Sequence, residues 1–336
     1  MTPDSLIPIT VPGLYYASGN LVGFNFGVVE PFFDCFDVVE KQFPGRKFIL
    51  FAHSDPYNTQ HIKSQIVKYG LDQKCFVLSG DIGFVKANKD LGVRFFSFFW
   101  HWWFANHSKK PDIATGIVRS VAELSTQRSW PVSCLNKKSS YSRLQTFYAL
   151  MQQSWLDQAY VSFGLVPQGS YDPIIQLPQE QQYWYQAHQF LFPYSPREQF
   201  DWDSNCWQID IPPYADTYLN IVTETMCNGR FATEKTVKPL AAGCLTQFVA
   251  EKDFVKLLPQ LGFDVDYRGL DHGYDDLETF AQRIDYIMQQ VTRVWNDIPD
   301  IWNTNLAKLK FNRDWLLSDK FGEFLLHDIN DILIKQ

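Results

Sequence analysis

The stretch Tyr218-Leu219-Asn220-Ile221-Val222, followed by Thr233-Glu234-Lys235-Thr236-Val237-Lys238-Pro239-Leu240-Ala241-Ala242-Gly243, decides the fold. Its first five residues form a short apolar run of the kind that is buried on both faces in a parallel sheet. Thr233 then suits a helix N-cap. Glu234 and Lys235 fall in the first turn, and Val237, Leu240 and Ala241 make an apolar face before Gly243 ends the helix. Leu245-Thr246-Gln247-Phe248-Val249 resumes a strand. Strand, helix, strand predicts an α/β layer with a helix N-terminus just beyond a strand end.

Working outward, the same theme recurs. Trp130 to Asn136 is an apolar run closed by polar residues, and the helix expected over about 140–153 carries Leu144, Phe147, Tyr148 and Met151 at helical spacing. Tyr160-Val161-Ser162-Phe163 is the next strand. From about 165 to 213 the chain is rich in Gln, Pro, Tyr and Trp with little period, which reads as an insertion with short helices. In the first half, Lys47 to Ala52 reads as a strand ending at His53-Ser54-Asp55-Pro56, and Cys75 to Leu78 as one ending at Ser79-Gly80-Asp81. A third strand is expected from Val93 to Phe99, with helices over 31–42 and about 59–69. Helices over about 276–294 and 302–317 close the chain. No repeat of solenoid period is present.

A length of 336 residues suits two domains, with a cleft between them as the starting expectation. The expected bounds are 1–128 for an N-terminal α/β domain on the acceptor side and 129–300 for a C-terminal nucleotide-binding domain, with C-terminal helices over 301–336 that could pack back on the first domain. At 46% hydrophobic and 16% aromatic residues, the composition excludes a disordered chain. A net charge of -7 provides no global basic field for gripping nucleic acid. The six cysteines are scattered without a C-x-x-C pair and read as free thiols in a reducing compartment. No signal peptide is visible, and the apolar run Phe95 to Phe104 is too short to span a bilayer, so a soluble cytoplasmic protein is expected.

The chemistry concentrates at Thr233-Glu234-Lys235. A helix N-terminus offers unpaired backbone N–H groups and a partial positive charge, which with the Lys235 ammonium would hold a diphosphate. Glu234, an acceptor-only carboxylate, suits ribose or sugar hydroxyls. The same spacing is equally met by a glutamate that only complements the helix dipole and a solvated lysine.

Thr233-Glu234-Lys235 with Pro239-Leu240-Ala241-Ala242-Gly243 resembles the donor-site motif of the α1,3-fucosyltransferase family and of related glycosyltransferase-like proteins of bacteria and viruses. Upstream, Asn136, Arg143, Phe147 and Leu150 are similar to the segment where that family carries a phosphate-binding arginine at a helix start. Downstream the resemblance runs through Leu261-Gly262-Phe263-Asp264 and Tyr274-Asp275-Asp276 to Arg283. It covers about 130–290 and fades in the first 120 residues. It implies a GT-B-type architecture of two Rossmann-like domains facing a cleft, and inversion at the anomeric centre. It also implies that Arg143 and Lys235 contact the donor phosphates, that Glu234 contacts the ribose or transferred sugar, and that Glu224 positions the site. The donor would be a GDP- or UDP-linked sugar. Lys137-Lys138 and Ser139-Ser140 before the arginine, and Cys244-Leu245-Thr246 after the helix, depart from the family pattern.

Sugar transfer needs a base for the acceptor hydroxyl and cations or dipoles for the departing diphosphate. Asp55 and Asp81, each at the end of an expected strand of the first domain, are the base candidates; either could equally be an ordinary turn aspartate. Arg143, Lys235 and the helix N-terminus would stabilise the leaving group without a metal, and no other cofactor is required. Asp201-Trp202-Asp203 and Asp264-Val265-Asp266 match the short Asp-x-Asp pattern of metal-dependent enzymes, a pattern that also arises by chance. His101, Trp102, Trp103 and His107 would stack on an acceptor or simply fill a core. No zinc-ligand spacing, Walker A, Gly-x-Gly-x-x-Gly or Gly-x-Ser-x-Gly pattern is present. The expected function is an inverting, metal-independent glycosyltransferase acting on a glycan hydroxyl. The alternatives are transfer to a modified nucleic-acid base, and a non-catalytic protein that binds nucleotide or carbohydrate.

Overall fold

A computed structural model describes residues 128–167, 173–194, 214–224 and 232–325, five strands of the first hundred residues, and a few helical positions between Lys41 and Val85. The chain divides into two compact units, Met1–Trp100 with Asn228–Phe231 and Gly322–Gln336, and His101–Cys227 with Ala232–Phe321.

The first unit holds β1 (Leu14–Ser18), β2 (Leu21–Asn25), β3 (Lys47–Ala52), β4 (Cys75–Ser79) and β5 (Val93–Phe95), in that spatial order. The expected strands at β3 and β4 are there, and the pairs from β2 to β5 are parallel. The hairpin of β1 and β2, which the strand pattern did not single out, adds an antiparallel edge. The expected strand from Val93 is described only to Phe95. The helix expected over 31–42 lies outside the described residues apart from Lys41.

The second unit is built on β6 (Trp130–Ser139), α1 (Tyr141–Met151), β7 (Tyr160–Pro167), α2 (Gln179–Ala187), β8 (Thr217–Thr223), α3 (Glu234–Ala241) and β9 (Leu245–Val249). Among the helices that follow are α4 (Phe280–Val294), α5 (Ile298–Thr304) and α6 (Leu306–Leu316). Its sheet has the order β7-β6-β8-β9 and every pair is parallel. All seven residues of β8 are buried, as a central strand covered on both faces requires. The α/β class with parallel sheets is therefore as the strand pattern predicts.

The strand order has a direct consequence. From β6 the chain steps to β7 on one side, then returns to place β8 on the other side with β9 beyond it. Right-handed crossovers running in opposite directions from the centre must lie on opposite faces of the sheet. The packing agrees: α1 lies against α4, whereas α3 lies against α6. Phe147 of α1 stacks on Phe163 of β7 at 4.5 Å. On the other face Tyr218 of β8 meets Trp302 of α5 edge-on at 5.6 Å, and the Trp302 indole donates to the Gly243 carbonyl at 2.8 Å.

Two expected helices start or break differently. The helix expected from about 276 begins at Phe280, because Gly273–Asp276 is a 3-10 turn and Thr279 with Gln282 forms a reciprocal capping box. The helix expected over 302–317 is interrupted at Asn305, whose amide both accepts from the Arg268 N–H and donates to the Arg268 carbonyl, each at 2.9 Å. That pair clamps the loop at the break. Gly262, at φ 86°, sits where a side chain would collide with the Trp315 ring, an added Cβ coming within 2.6 Å of its Nε1. Among the described residues no helix is long and apolar enough to cross a membrane.

Candidate functional site

In a parallel sheet with this strand order, the carboxyl ends of β6 and β8 form the topological switch point, where the crossover helices leave in opposite directions and open a crevice. The helices that start there are α1 and α3, and they carry Arg143 and Lys235.

The end of β8 links both sides. Period-two alternation sends consecutive residues of a strand to opposite faces. Thr223 points to the α1 face, where its hydroxyl donates to Asn136 Oδ1 at the end of β6. The Asn136 amide in turn donates to Cys134 Sγ at 3.4 Å. Cys134 is fully buried, and burial pushes its thiol up to about 12, against the Asn136 hydrogen bond and the charge of Arg143, which both pull it down. It is therefore a neutral thiol near neutral pH and no nucleophile. Arg143, the third residue of α1, is 3% exposed.

Glu224 points the other way, to α3, and is completely buried. One carboxylate oxygen accepts from the Thr233 N–H at 3.1 Å and the Thr236 hydroxyl at 2.5 Å, and the other accepts from the Thr233 hydroxyl at 2.6 Å. Thr233 is the N-cap, as its place in the sequence predicts, with extended backbone and a side chain that accepts from the Lys235 N–H at 3.3 Å. The Thr236 N–H donates to the Thr233 carbonyl at 3.1 Å. Two of the amides expected to await an anion, those of Lys235 and Thr236, are thus engaged within the cap. A carboxylate already sits at the positive end of the helix, where it offsets part of the dipole. The Lys235 side chain, one residue into α3, is half-buried. Glu224 thus holds Thr233 and Thr236 at the start of α3. Glu234 opens α3, so its backbone stands at the first position of the helix.

Arg143, Glu224, Thr233, Glu234 and Lys235 are therefore all placed at, or one turn from, the carboxyl edge of the second sheet. Asp55 and Asp81 lie outside the described residues, as do His101, Trp102, Trp103, His107 and the Asp201-Trp202-Asp203 tripeptide. The other Asp-x-Asp is engaged in a turn: Asp264 Oδ1 accepts from the Asp266 N–H and from Lys308, at 3.2 and 3.1 Å. Among the described residues no group of three His, Cys, Asp or Glu side chains is placed to hold a metal ion. Arg283 donates to the Leu277 carbonyl at 2.6 Å and lies 4.4 Å from the Phe280 ring, which makes it a structural anchor for the start of α4.

Sequence reasoning passed over three residues. Thr223 and Thr236 look like ordinary strand and helix threonines, and only the fold shows that they join the network. Arg128 lies at the opposite, amino edge of the sheet. It donates to the carbonyls of Tyr214, Thr217 and Ala242 and covers Trp302 at 4.8 Å, tying the start of β8 to the end of α3. A lone arginine ahead of an apolar run carries no signal that would reveal such a role.

No family model matches the chain, and no curated protein matches its sequence. Among the solved structures that align with the chain are two glycosyltransferases. A crystal structure of an α1,3-fucosyltransferase aligns at 9% identity and TM-score 0.42, over 90% of this chain and 79% of that one. A UDP-forming α,α-trehalose-phosphate synthase from Burkholderia vietnamiensis aligns at 13% identity and TM-score 0.45, over 90% of this chain and 73% of that one. Likenesses at these values say nothing of substrate or chemistry.

Proposed function

We propose that the chain is a GT-B-type glycosyltransferase that binds a nucleotide-diphosphate sugar, GDP- or UDP-linked, at the carboxyl edge of its second sheet. One observation carries this reading: the two residues singled out as phosphate contacts, Arg143 and Lys235, start the two helices that flank the switch point of a parallel sheet. In this reading Arg143 supplies a buried cation and Lys235 a half-buried one, and together they stabilise the diphosphate as it leaves. Glu234 takes ribose or sugar hydroxyls. Asp55 or Asp81, each just beyond a strand of the first sheet in sequence, takes the proton of a glycan hydroxyl, and the anomeric centre inverts. No step of this scheme calls for a metal. The free thiols of Cys134 and Cys244 support a reducing, cytoplasmic setting.

A thermal-shift series with UDP, GDP and the other nucleoside diphosphates tests the reading. A nucleotide at one hundred times its dissociation constant stabilises the fold by about 2.7 kcal/mol, and the base that gives the largest shift names the donor. If no nucleoside diphosphate moves the melting temperature, the donor site is wrongly placed. Binding without turnover of any sugar donor and acceptor would leave a nucleotide-binding protein in place of an enzyme.

A further inference from the structure

A well-formed groove of the second unit lies away from the switch point. It is a depression of about 650 Å³ between α1 and α4, with α2 at its rim, a size typical of small-molecule sites. Its walls follow helical spacing. Gln145, Tyr148 and Ala149 line it from α1, Gln152 and Gln153 from the turn that follows, and Ala281, Asp285, Gln289 and Thr292 from α4. Along α1 itself it spans Gln145 to Ala149, about 6 Å at 1.5 Å per residue, and it continues past the helix end to Gln153. The far end is held shut by a short chain of hydrogen bonds: Trp155 Nε1 donates to Thr292 Oγ1, which donates to Gln153 Oε1.

The lining is unusual in its chemistry. Five glutamines, at 145, 152, 153, 181 and 289, face the groove, with Ile284, Met288 and Ala149 as apolar floor. Its charged members, Asp285 and Arg293, are of opposite sign. The side-chain oxygens of Gln145 and Gln181 are buried and accept no hydrogen bond from the protein, an arrangement that costs free energy and that an amide turned toward a donor in the groove would relieve. Gln145 is 5% exposed, and its nitrogen is already given to Tyr141 at 3.1 Å. A ligand for such a groove must bring several O–H or N–H donors, accept from amide nitrogens in return, carry no net charge, and present apolar C–H faces to the floor. Neutral sugars meet all four conditions. A phosphate or an acidic glycan meets neither the charge balance nor the apolar floor.

We infer that the groove between α1 and α4 is a carbohydrate-binding subsite for a short neutral oligosaccharide. The inference stands on the groove alone and does not need the donor-site reading to be right. In the context of that reading, the subsite would hold part of a glycan away from the reacting sugar.

The test titrates the full chain, by calorimetry and saturation-transfer NMR, with neutral di- to tetrasaccharides of glucose, galactose, mannose and N-acetylglucosamine, and separately with UDP and GDP. Gln289→Ala alters an exposed position and Ala149→Trp fills the groove; both are checked for folding by circular dichroism. The expected result is that a saccharide binds, that each variant weakens it about tenfold or more, and that nucleotide affinity stays unchanged. Lys235→Ala gives the reverse pattern. The inference is overturned if no saccharide binds, if binding survives both variants in folded protein, or if Lys235→Ala removes it while the groove variants do not. It is equally overturned if only peptides from an arrayed library occupy the groove.

Discussion

The two helix N-termini at the switch point look alike in sequence and differ in electrostatics. At α3 the positive end of the helix is already answered from within: Glu224 accepts three hydrogen bonds from Thr233 and Thr236, and the cap uses the amide of Lys235. At α1 the N-cap Ser140 makes no side-chain cap bond, and the first turn holds no acidic residue but the buried Arg143. One terminus is closed by its own carboxylate. The other presents a cation. The lesson is that a helix start beyond a parallel strand is an anion site only if the protein has not filled it, which is why the proposed donor site leans on Arg143 and the Lys235 side chain.

The largest expected effect breaks the closed side. Glu224→Ala leaves three buried donors without an acceptor, and at roughly 1–3 kcal/mol for each unmet group it should lower stability by at least about 3 kcal/mol in chemical denaturation. Retention of wild-type stability would mean that the α3 terminus is not internally closed. Next comes Arg143→Ala, expected to weaken nucleoside diphosphate binding about a hundredfold by calorimetry, from a charged hydrogen bond worth about 1.5–3 kcal/mol. An unchanged affinity would move the phosphate away from α1. Thr233→Ala should cost about 1–2 kcal/mol of stability through the lost cap. Lys235→Ala separates the two roles of α3: affinity falls about tenfold while stability stays within about 0.5 kcal/mol, as for an ordinary surface change.

The smallest effect sets the background for these measurements. His272 is held neutral between the Val265 carbonyl, 2.7 Å from Nε2, and the Tyr274 hydroxyl, 2.8 Å from Nδ1. Burial, the chief cause, lowers its proton affinity below that of a free histidine. The unfolded chain therefore takes up the proton first as pH falls, so stability declines from about pH 6.5 down toward the lower folded value and is fully present above that range. His272→Gln should flatten this slope in denaturation curves taken across the interval. Comparisons of Arg143 and Lys235 variants belong above it.

Local reading located most of the elements that matter. The runs at Trp130, Tyr160, Tyr218 and Leu245 are strands, Thr233 caps a helix, and Gly243, at φ 64°, ends it. These features depend on residues a few positions apart, where propensity, capping and the hydrophobic period act directly. The helix break at Asn305 was not legible, because its cause is the backbone of Arg268, 37 residues away. Nor was the amide-lined groove, whose walls come from α1, α2 and α4.

By itself, then, the sequence determined an α/β chain with parallel strands and a capped helix beyond the strand at Tyr218–Val222. Only the tertiary structure decided that β6 and β8 are neighbours, that Asn136 and Thr223 therefore bond across the switch point, and that Glu224 turns to α3 and accepts from Thr233 and Thr236. The physical reason is that a strand's apolar run specifies burial but not its neighbour. The direction of a polar side chain at the strand end follows from the register and face set when the sheet assembles.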